Sequence, residues 1–378
     1  MPSLRFLPDL LLQFAAPAIT YLLLRRGWKP PVVVRVFAMA LSILWAAGLV
    51  ATTLQANAIE AGFRWQSISG LSFACAVAFL GAVAIWFASK EASRRFSAAA
   101  DPERRQLLTV ATGVAMAAPA AILTTGFLLG RKQFHLEEID LAVPDLAPDL
   151  EGLRVVQLSD IHLSSFLSRD ELARCVDLAN ETRAHIAVVT GDLITGMHDP
   201  IDDCLDELKR LRADSGVYGC MGNHETYINA ESYVQREAHR RGIQFLRHEN
   251  RGLQFGAAKL NLAGLDHQWK KKTYLMGADR LIVPGQLNIL LSHNPATFPK
   301  AAAQGWDVTL AGHMHGGQIN VELMHANLNF MRLSTPYVYG TYRQDRSTMY
   351  VTRGIGTVAM PVRFGAPPEV ALIRLRKA

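Results

Sequence analysis

The stretch Leu153–His162 reads LRVVQLSDIH, and it decides the fold expected for the second half of this 378-residue chain. Its first six residues, Leu153–Leu158, are largely apolar and β-branched, which is typical of a short buried strand. Ser159 and Asp160 end that strand, so Asp160 and His162 would follow directly at its carboxyl end. We therefore expect an α/β domain that begins here and carries polar side chains where its first strand ends.

Strands and helices alternate along the rest of the chain. This alternation indicates βαβ units, in which consecutive strands run parallel in one sheet. The predicted strands are Leu153–Leu158, His185–Thr190, Gly216–Met221, Lys259–Leu265, Leu287–Leu291, Val308–Ala311, Met349–Thr352 and Glu369–Leu375, and the predicted helices are Arg169–Thr182, Asp202–Arg212 and Glu231–Arg241.

Four further polar motifs follow in order, and each lies just past the end of a predicted strand. Ligands of open α/β sheets gather outside the carboxyl ends of the strands, so these side chains would converge on one rim. Taken singly, each motif is also compatible with a structural turn or a surface histidine. The motifs after Asp160-Ile161-His162 are Gly191-Asp192, Gly222-Asn223-His224-Glu225, Ser292-His293 and Gly312-His313-Met314-His315.

The side chains in these motifs are oxygen and nitrogen donors of the kind that bind divalent metal ions. Asp192 follows a glycine, which lets the backbone turn sharply, and its carboxylate could bridge two ions. Asn223 is open to two interpretations, a ligand or a turn cap, and His224 is either a ligand or a proton donor. Two ions about 3.5–4 Å apart are the usual device for in-line attack on phosphorus. The five motifs together therefore favour a phosphorus-directed metal site.

The ordered motifs resemble those of the calcineurin-like metallophosphoesterases. The resemblance covers roughly residues 153–375, and no ligand position departs from the family pattern. The continuation Gly316–Gln318 and the late stretches 350–356 and Pro368-Glu369 look like the membrane-anchored bacterial branch. Some relatives in that branch are associated with lipid or cell-wall precursors. The resemblance implies a two-layer β-sandwich flanked by helices that hydrolyses phosphoester or diphosphate bonds.

The same resemblance implies a role for each motif residue. Asp192 would bridge two divalent ions, which would be Mn, Fe or Zn because mixed nitrogen and oxygen ligands do not choose among them. His224 would act on the leaving group as a general acid, and Glu225 would steady it. His267 is interpreted as structural, since the ligand set is already full. The first ion would be held by Asp160, His162 and His315, and the second by Asn223, His293 and His313.

The first 131 residues have a different composition, rich in apolar runs. Val36–Leu54, Ile68–Ser89 and Leu107–Gly130 carry no charge, and each approaches or exceeds the roughly 20 residues that cross a hydrocarbon core. Leu10–Leu24 is a weaker fourth span. A buried core helix explains one such run, but it does not explain three or four in succession. We expect an all-α transmembrane region of about four helices at residues 1–131.

The basic residues of this region fall into two loops, one after the first span and one between the third and fourth. Basic loops stay in the cytoplasm, so the fourth span would carry a linker at 132–152 and the domain at 153–378 to the other side. We therefore expect a multi-pass protein of the bacterial cytoplasmic (inner) membrane with an extracytoplasmic catalytic domain. The two loops contain Arg25, Arg26, Lys29 and Arg35, and Lys90, Arg94, Arg95, Arg104 and Arg105.

The leading hypothesis is a membrane-anchored, dinuclear metal-dependent phosphohydrolase. Its substrate would be a phosphorylated small molecule or lipid, and no nucleic-acid partner is expected. The alternative is a metal-binding sensor or interaction module without turnover, and the presence of both His224 and Glu225 counts against it. A transport function is disfavoured because the apolar spans lack Asp, Glu, Lys and His in their interiors. The oligomeric state is left open.

Overall fold

The computed structural model describes residues 62–96, 102–269, 274–323 and 326–378. The chain divides into two units. One unit comprises Met1–Leu129 with Ala359–Val362, and the other comprises Gly130–Val358 with Arg363–Ala378. The two predicted spans before residue 62 lie outside the described residues.

Two long apolar helices make up most of the described part of the first unit. Helix α1 spans Gly62–Phe96 and helix α2 spans Pro102–Leu128. Segments Ala74–Ala92 and Gln106–Lys132 are long and apolar enough to cross a membrane, judged by length and composition alone. They overlap the third and fourth spans predicted from the sequence.

Two six-stranded mixed sheets form the framework of the second unit. Their strands are β1 (His135–Val143), β2 (Arg154–Leu158), β3 (Ile186–Val189), β4 (Val217–Gly219), β5 (Ile243–Phe245), β6 (Glu249–Phe255), β7 (Ala258–Gly264), β8 (Leu287–Leu291), β9 (Val308–Ala311), β12 (Gly340–Gln344), β13 (Ser347–Val351) and β14 (Glu369–Lys377), with a separate short pair β10 (Val321–Leu323) and β11 (Ala326–Leu328). The first sheet has the order β1-β14-β2-β3-β4-β5, and the second has the order β12-β13-β9-β8-β7-β6. Strands β2 to β5 run parallel, as do β7, β8, β9 and β13.

The two sheets pack face to face, and helices cover their outer faces. Val155 and Val188 of the first sheet share one buried cluster with Ile289 and Leu291 of the second. Alternate strand residues point the other way, so Val156 belongs to the cluster between the first sheet and its helices. The helices are α3 (Arg169–Glu181), α4 (Ile201–Leu208), α5 (Asn223–Tyr227), α6 (Glu231–Arg240) and α7 (Phe298–Gln304). This arrangement confirms the expected two-layer sandwich flanked by helices.

The segment expected to be a linker, residues 132–152, differs from that expectation because it contains strand β1. This strand pairs in parallel with β14 along all nine of its residues. Leu141 and Val143 are buried in the core between the sheets, whereas Glu138 and Asp140 are exposed. Charged residues are common on edge strands, where they discourage pairing with other chains. In β1 the charged residues hide the alternation of apolar residues, so the sequence did not indicate a strand.

Candidate metal centre

The loops after β2 and β3 are joined beyond the ends of the strands. Asp160 N–H donates to the Gly191 carbonyl at 3.1 Å, and His162 N–H donates to the Asp192 carbonyl at 3.0 Å. These bonds continue the parallel ladder of the first sheet into the motif residues. Asp160, His162 and Asp192 are thereby fixed side by side at the carboxyl ends of their strands.

The loops after β8 and β9 are joined in the same way, and one further contact connects the two sheets. Gly312 N–H donates to the His293 carbonyl at 3.1 Å. His313 N–H donates to both carboxylate oxygens of Asp160, at 2.8 and 3.0 Å. Motif residues from both sheets therefore meet at a single rim, as the strand-end argument predicted.

Asp192 lies at the middle of the assembled side chains. Its Oδ2 is 3.5 Å from His162 Nε2 and 3.1 Å from His293 Nε2. All three side chains are almost completely buried, with at most 2% of each side chain exposed. One carboxylate oxygen thus faces imidazole nitrogens that belong to different sheets.

Two groups of donor atoms extend from this centre. On one side, His315 Nε2 lies 3.4 Å from Asp160 Oδ1 and 3.1 Å from His162 Nε2. On the other side, His293 Nε2 lies 3.1 Å from Asn223 Oδ1. The ligand atoms of Asp160, His162 and His315 lie within 4.8 Å of one another, and so do those of Asp192, His293 and His313.

The orientation of the imidazole rings suits cation binding. His293 Nδ1 lies 2.6 Å from the Thr190 carbonyl, so Nδ1 donates to that carbonyl and Nε2 points into the cluster. His162 Nε2 and His315 Nε2 face each other at 3.1 Å, which places two basic nitrogens together. Neutral imidazole nitrogens with carboxylate and amide oxygens are a donor set that Mn, Fe and Zn all accept. The side chains therefore fit divalent ions.

Five of the seven predicted ligand residues have left-handed backbone conformations. Their φ angles are 51° for Asp160, 50° for His162, 56° for Asp192, 74° for His313 and 51° for His315. Such φ values are uncommon for residues other than glycine and cluster at functional sites, where the surrounding structure maintains the strain. The fold thus holds these side chains in place at a conformational cost.

Glycines of two motifs allow the loops to approach the carboxylates. A Cβ at Gly222 would overlap the Asp192 carboxylate, and a Cβ at Gly312 would overlap that of Asp160. Any larger residue would therefore displace a candidate ligand. This requirement explains the glycine in the Gly-Asn-His-Glu and Gly-His-Met-His motifs.

Burial and neighbouring charges set the protonation states in the cluster. Burial lowers the pKa of His162 to about 3 and that of His313 to about 4, so both imidazoles are neutral at physiological pH. Burial raises the pKa of Asp160 to about 6. Burial alone would lower the pKa of His293, but the adjacent Asp192 carboxylate raises it to about 10. In the absence of other cations, His293 is the positive partner of Asp192.

His224 and Glu225 have different partners from those expected. His224 Nδ1 lies 2.6 Å from the Thr195 carbonyl, and its backbone N–H donates to Asp192 Oδ1 at 2.9 Å. The Glu225 carboxylate instead accepts three backbone N–H groups, those of Asp192, Leu193 and Gly222, at 3.0, 2.7 and 2.8 Å. Glu225 therefore fixes the two loops to each other, and a carbonyl oxygen orients the His224 ring.

Arg363 is a fully buried cation behind the cluster that the sequence analysis missed. Its guanidinium donates to the carbonyls of Arg353 at 2.8 Å and Ala366 at 3.1 Å, and Nη1 lies 3.4 Å from the His315 carbonyl. Burial lowers its pKa to about 10. Partners that are backbone carbonyls carry no sequence signature, so no motif indicated this residue.

Aromatic side chains line one side of the site. The His267 ring centroid lies 5.6 Å from that of His293, 5.4 Å from that of His313 and 4.4 Å from that of Trp269. Tyr227 bridges Trp269 and the candidate acid His224, at centroid distances of 5.0 and 5.1 Å. His267 packs against the proposed ligands without being one of them, and the exposed rings of Trp269 and Tyr227 extend this wall to the surface.

Comparisons with known proteins agree with this geometry. Residues 153–317 match the family model described as calcineurin-like phosphoesterase. A transmembrane protein with metallophosphoesterase domain from Danio rerio is 29% identical over 71% of this chain and 63% of its own length. An uncharacterized metallophosphoesterase of Campylobacter jejuni is 28% identical over 64% and 63%, and YkuE of Bacillus subtilis, also an uncharacterized metallophosphoesterase, is 28% identical over 60% and 80%.

The chain spans less than two thirds of the Danio and Campylobacter relatives, at 63% of each. Among solved structures, the phosphopantetheinyl hydrolase of Mycobacterium tuberculosis matches 50% of this chain and 95% of its own. Its identity of 12% and TM-score of 0.30 are too low to support an inference about activity. The family match falls on the residues that build the site. Residues 153–317 belong to the calcineurin-like phosphoesterase family, a family of metal-binding hydrolases of phosphoesters.

Proposed function

We propose that this chain is a membrane-anchored, dinuclear metal-dependent hydrolase of phosphoester or diphosphate bonds. The observation that carries the proposal is the pair of donor groups that share the region around Asp192, one with Asp160, His162 and His315 and one with His293 and His313. A site for a single ion would not need donors on both sides of one carboxylate. The family of residues 153–317 supports the same reaction class.

In this proposal each ion has its own ligands and Asp192 is shared. Asp160, His162 and His315 would hold the first ion, and Asn223, His293 and His313 would hold the second. When bound, two divalent cations would activate a water for in-line attack and neutralise charge on the phosphoryl oxygens. The ions would be Mn, Fe or Zn.

His224 is the proposed general acid. Its Nδ1 proton is engaged by the Thr195 carbonyl, so proton transfer to a leaving oxygen would use Nε2. Histidine is the side chain that most often acts as a general acid in enzymes. Its backbone bond to Asp192 keeps the acid at a fixed position relative to the shared carboxylate. The Tyr227 ring contacts the His224 ring and restricts the movement of the imidazole.

The proposed location is the bacterial cytoplasmic membrane, in a multi-pass protein whose domain at 153–378 lies outside the cytoplasm. Two helices of suitable length and composition support the anchoring, and the relatives named as transmembrane proteins from Danio rerio and Bos taurus support it too. A phosphorylated lipid or cell-envelope precursor is the proposed substrate class, because an anchored site meets amphiphilic substrates at the bilayer.

The test uses the full chain, purified in detergent, stripped with a chelator and then supplied with Mn²⁺. Substrates would be a lipid phosphate, a nucleotide-sugar diphosphate and the generic diester bis(p-nitrophenyl) phosphate. We expect no turnover after stripping and recovery with Mn²⁺, and no recovery in Asp192→Asn. A stripped chain as active as the reloaded one would contradict metal dependence. A chain that binds Mn²⁺ but cleaves none of the three would favour a sensor instead.

A further inference from the structure

The chain from the last residue of strand β11 onward exposes large apolar side chains. Leu333 is 85% exposed, Phe330 83% and Leu328 58%, within six consecutive residues. Soluble proteins rarely expose contiguous apolar patches without an interaction partner. We propose that Leu328–Leu333 is a lipid-contacting segment that docks the domain on a bilayer surface, and this rests on the proposed function for its link to an amphiphilic substrate.

The charge of the surrounding chain fits an anionic lipid surface. Residues 323–344 contain no Asp or Glu, and Arg332 is exposed between the apolar side chains of Met331 and Leu333. The Arg332 guanidinium lies 5.7 Å from the centre of the Tyr339 ring. Apolar and aromatic side chains combined with a basic residue are typical of segments that lie in the interface of a membrane.

One buried side chain fixes this segment to the site. Asn329 is only 6% exposed, although its neighbours are exposed. Its Nδ2 donates to the Gly316 carbonyl at 2.8 Å, and its Oδ1 accepts the Met331 N–H at 3.0 Å. Gly316 directly follows the proposed ligand His315. The proposed lipid-contacting segment is therefore hydrogen-bonded to the residue that directly follows a proposed metal ligand.

The short connection between the candidate membrane segment and the domain supports a bilayer as the partner of the lipid-contacting segment. Strand β1 begins at His135, three positions after the end of the candidate membrane segment Gln106–Lys132. Three residues span at most about 11 Å when fully extended, so a domain following that segment stays close to any membrane the segment crosses. An apolar phase is thus within reach of the domain without a second protein.

The test places a fluorescent probe on the segment in the full chain. Cys175, Cys204 and Cys220 are completely buried, so replacing Cys75 by Ala leaves the added thiol as the reactive one among three native cysteines and one new cysteine. Leu333→Cys and Phe330→Cys would carry an environment-sensitive dye. Nanodiscs of phosphatidylcholine and phosphatidylglycerol would be made with and without bromine on the acyl chains.

The matched control is Asp345→Cys. Asp345 is exposed in the turn before β13, and β13 runs parallel to β9, whose carboxyl end carries His313. The control position therefore lies at the end of the second sheet opposite the site. All three probe positions lie in the same domain, so differences between position 345 and the other two report on the segment alone.

We expect brominated lipid to quench the dye at positions 333 and 330 and to leave it bright at position 345. Equal quenching at all three positions, or none at 333, would overturn the proposal. A dye at 333 that is shielded from water yet not quenched would point to a protein occupant, a second copy or residues 1–61, and would also overturn it. A chain that does not enter nanodiscs would contradict it as well.

The fluorescence readout needs no turnover. A chain that hydrolyses nothing in the substrate panel would therefore still show quenching if the docking proposal holds. Conversely, an active enzyme without quenching would retain the proposed function and lose the docking surface. The hydrolase activity and the docking surface thus fail separately.

Discussion

At the scale of single residues, His224 offers the sharpest separation between metal binding and proton transfer. Its Nδ1 is bound to Thr195 and its backbone to Asp192. We predict that His224→Ala keeps its metal ions but loses about 10²–10⁴-fold in turnover of a substrate with a poor leaving group, the range typical of a lost general acid. Steady-state rates and the metal content of the full chain would be measured together.

The leaving group provides the control for that prediction. A p-nitrophenyl ester departs with little protonation, so the loss in His224→Ala should be much smaller on it. Parallel loss of metal and activity would make His224 a ligand, which the sequence motif alone left open. An unchanged rate on the poor leaving group would remove the acid role.

Gly222 gives a second prediction at this scale. Its φ of −93° is accessible to any residue, so a side chain is opposed by overlap with Asp192, both with its carboxylate and with its backbone nitrogen. We predict that Gly222→Ala retains little metal after dialysis and has little activity. Gly252→Ala is the matched control, because nothing lies within 4 Å of its added Cβ. Equal metal content in the two variants would show that the close approach at Gly222 does not matter.

The candidate site could be foreseen from the sequence because strand ends and motif residues coincide. Asp160, Asp192 and His293 follow short apolar strands, and the parallel strands of each sheet bring such residues to the carboxyl ends of that sheet. The groups that orient them could not be foreseen. The carbonyl oxygens of Thr190 and Thr195 orient the rings of His293 and His224, and a carbonyl is present at every residue. Which carbonyl oxygens face these rings depends on the path of the backbone in three dimensions.

At the scale of elements, the presence of strand β1 in place of a linker leads to a prediction about stability. Leu141 is fully buried between the sheets. We predict that Leu141→Ala lowers the free energy of unfolding by about 2–5 kcal/mol, as for other buried leucines. Glu138→Ala, on the exposed face with its Arg374 partner at 2.8 Å, should cost less than about 1 kcal/mol. Denaturant unfolding of the full chain would compare the two, and equal small losses would contradict a structural role for β1.

The central strands were predictable and the edges were not. Strands β8 and β9 have the predicted bounds, Leu287–Leu291 and Val308–Ala311, because strands buried on both faces are continuous apolar runs. Edge strands β1, β6 and β12 carry charges, and apolar and polar residues alternate only weakly along them. None of the three was predicted. The helix expected to reach Arg212 ends at Leu208. The local sequence therefore predicts the central strands, whereas the edge strands depend on pairing with strands that are distant in sequence.

At the scale of the whole molecule, the arrangement of basic residues leads to a prediction of sidedness. The two basic loops of residues 1–131 would stay in the cytoplasm, which places the domain at 153–378 outside it. We predict that a green fluorescent protein fused after Ala378 stays dark in a bacterial host and that alkaline phosphatase fused there is active. A fluorescent fusion with inactive phosphatase would put the domain in the cytoplasm and reverse the proposed location.

The metal content of the purified full chain tests the central claim most directly. After chelation and reloading with Mn²⁺, elemental analysis should give about two ions per chain, the number needed for a two-metal phosphoester hydrolase. Asp192→Asn should hold clearly fewer, because its carboxylate is the donor that faces both His162 and His293. A wild-type chain that retains no Mn²⁺ above a buffer blank, or the same amount as Asp192→Asn, would contradict the account.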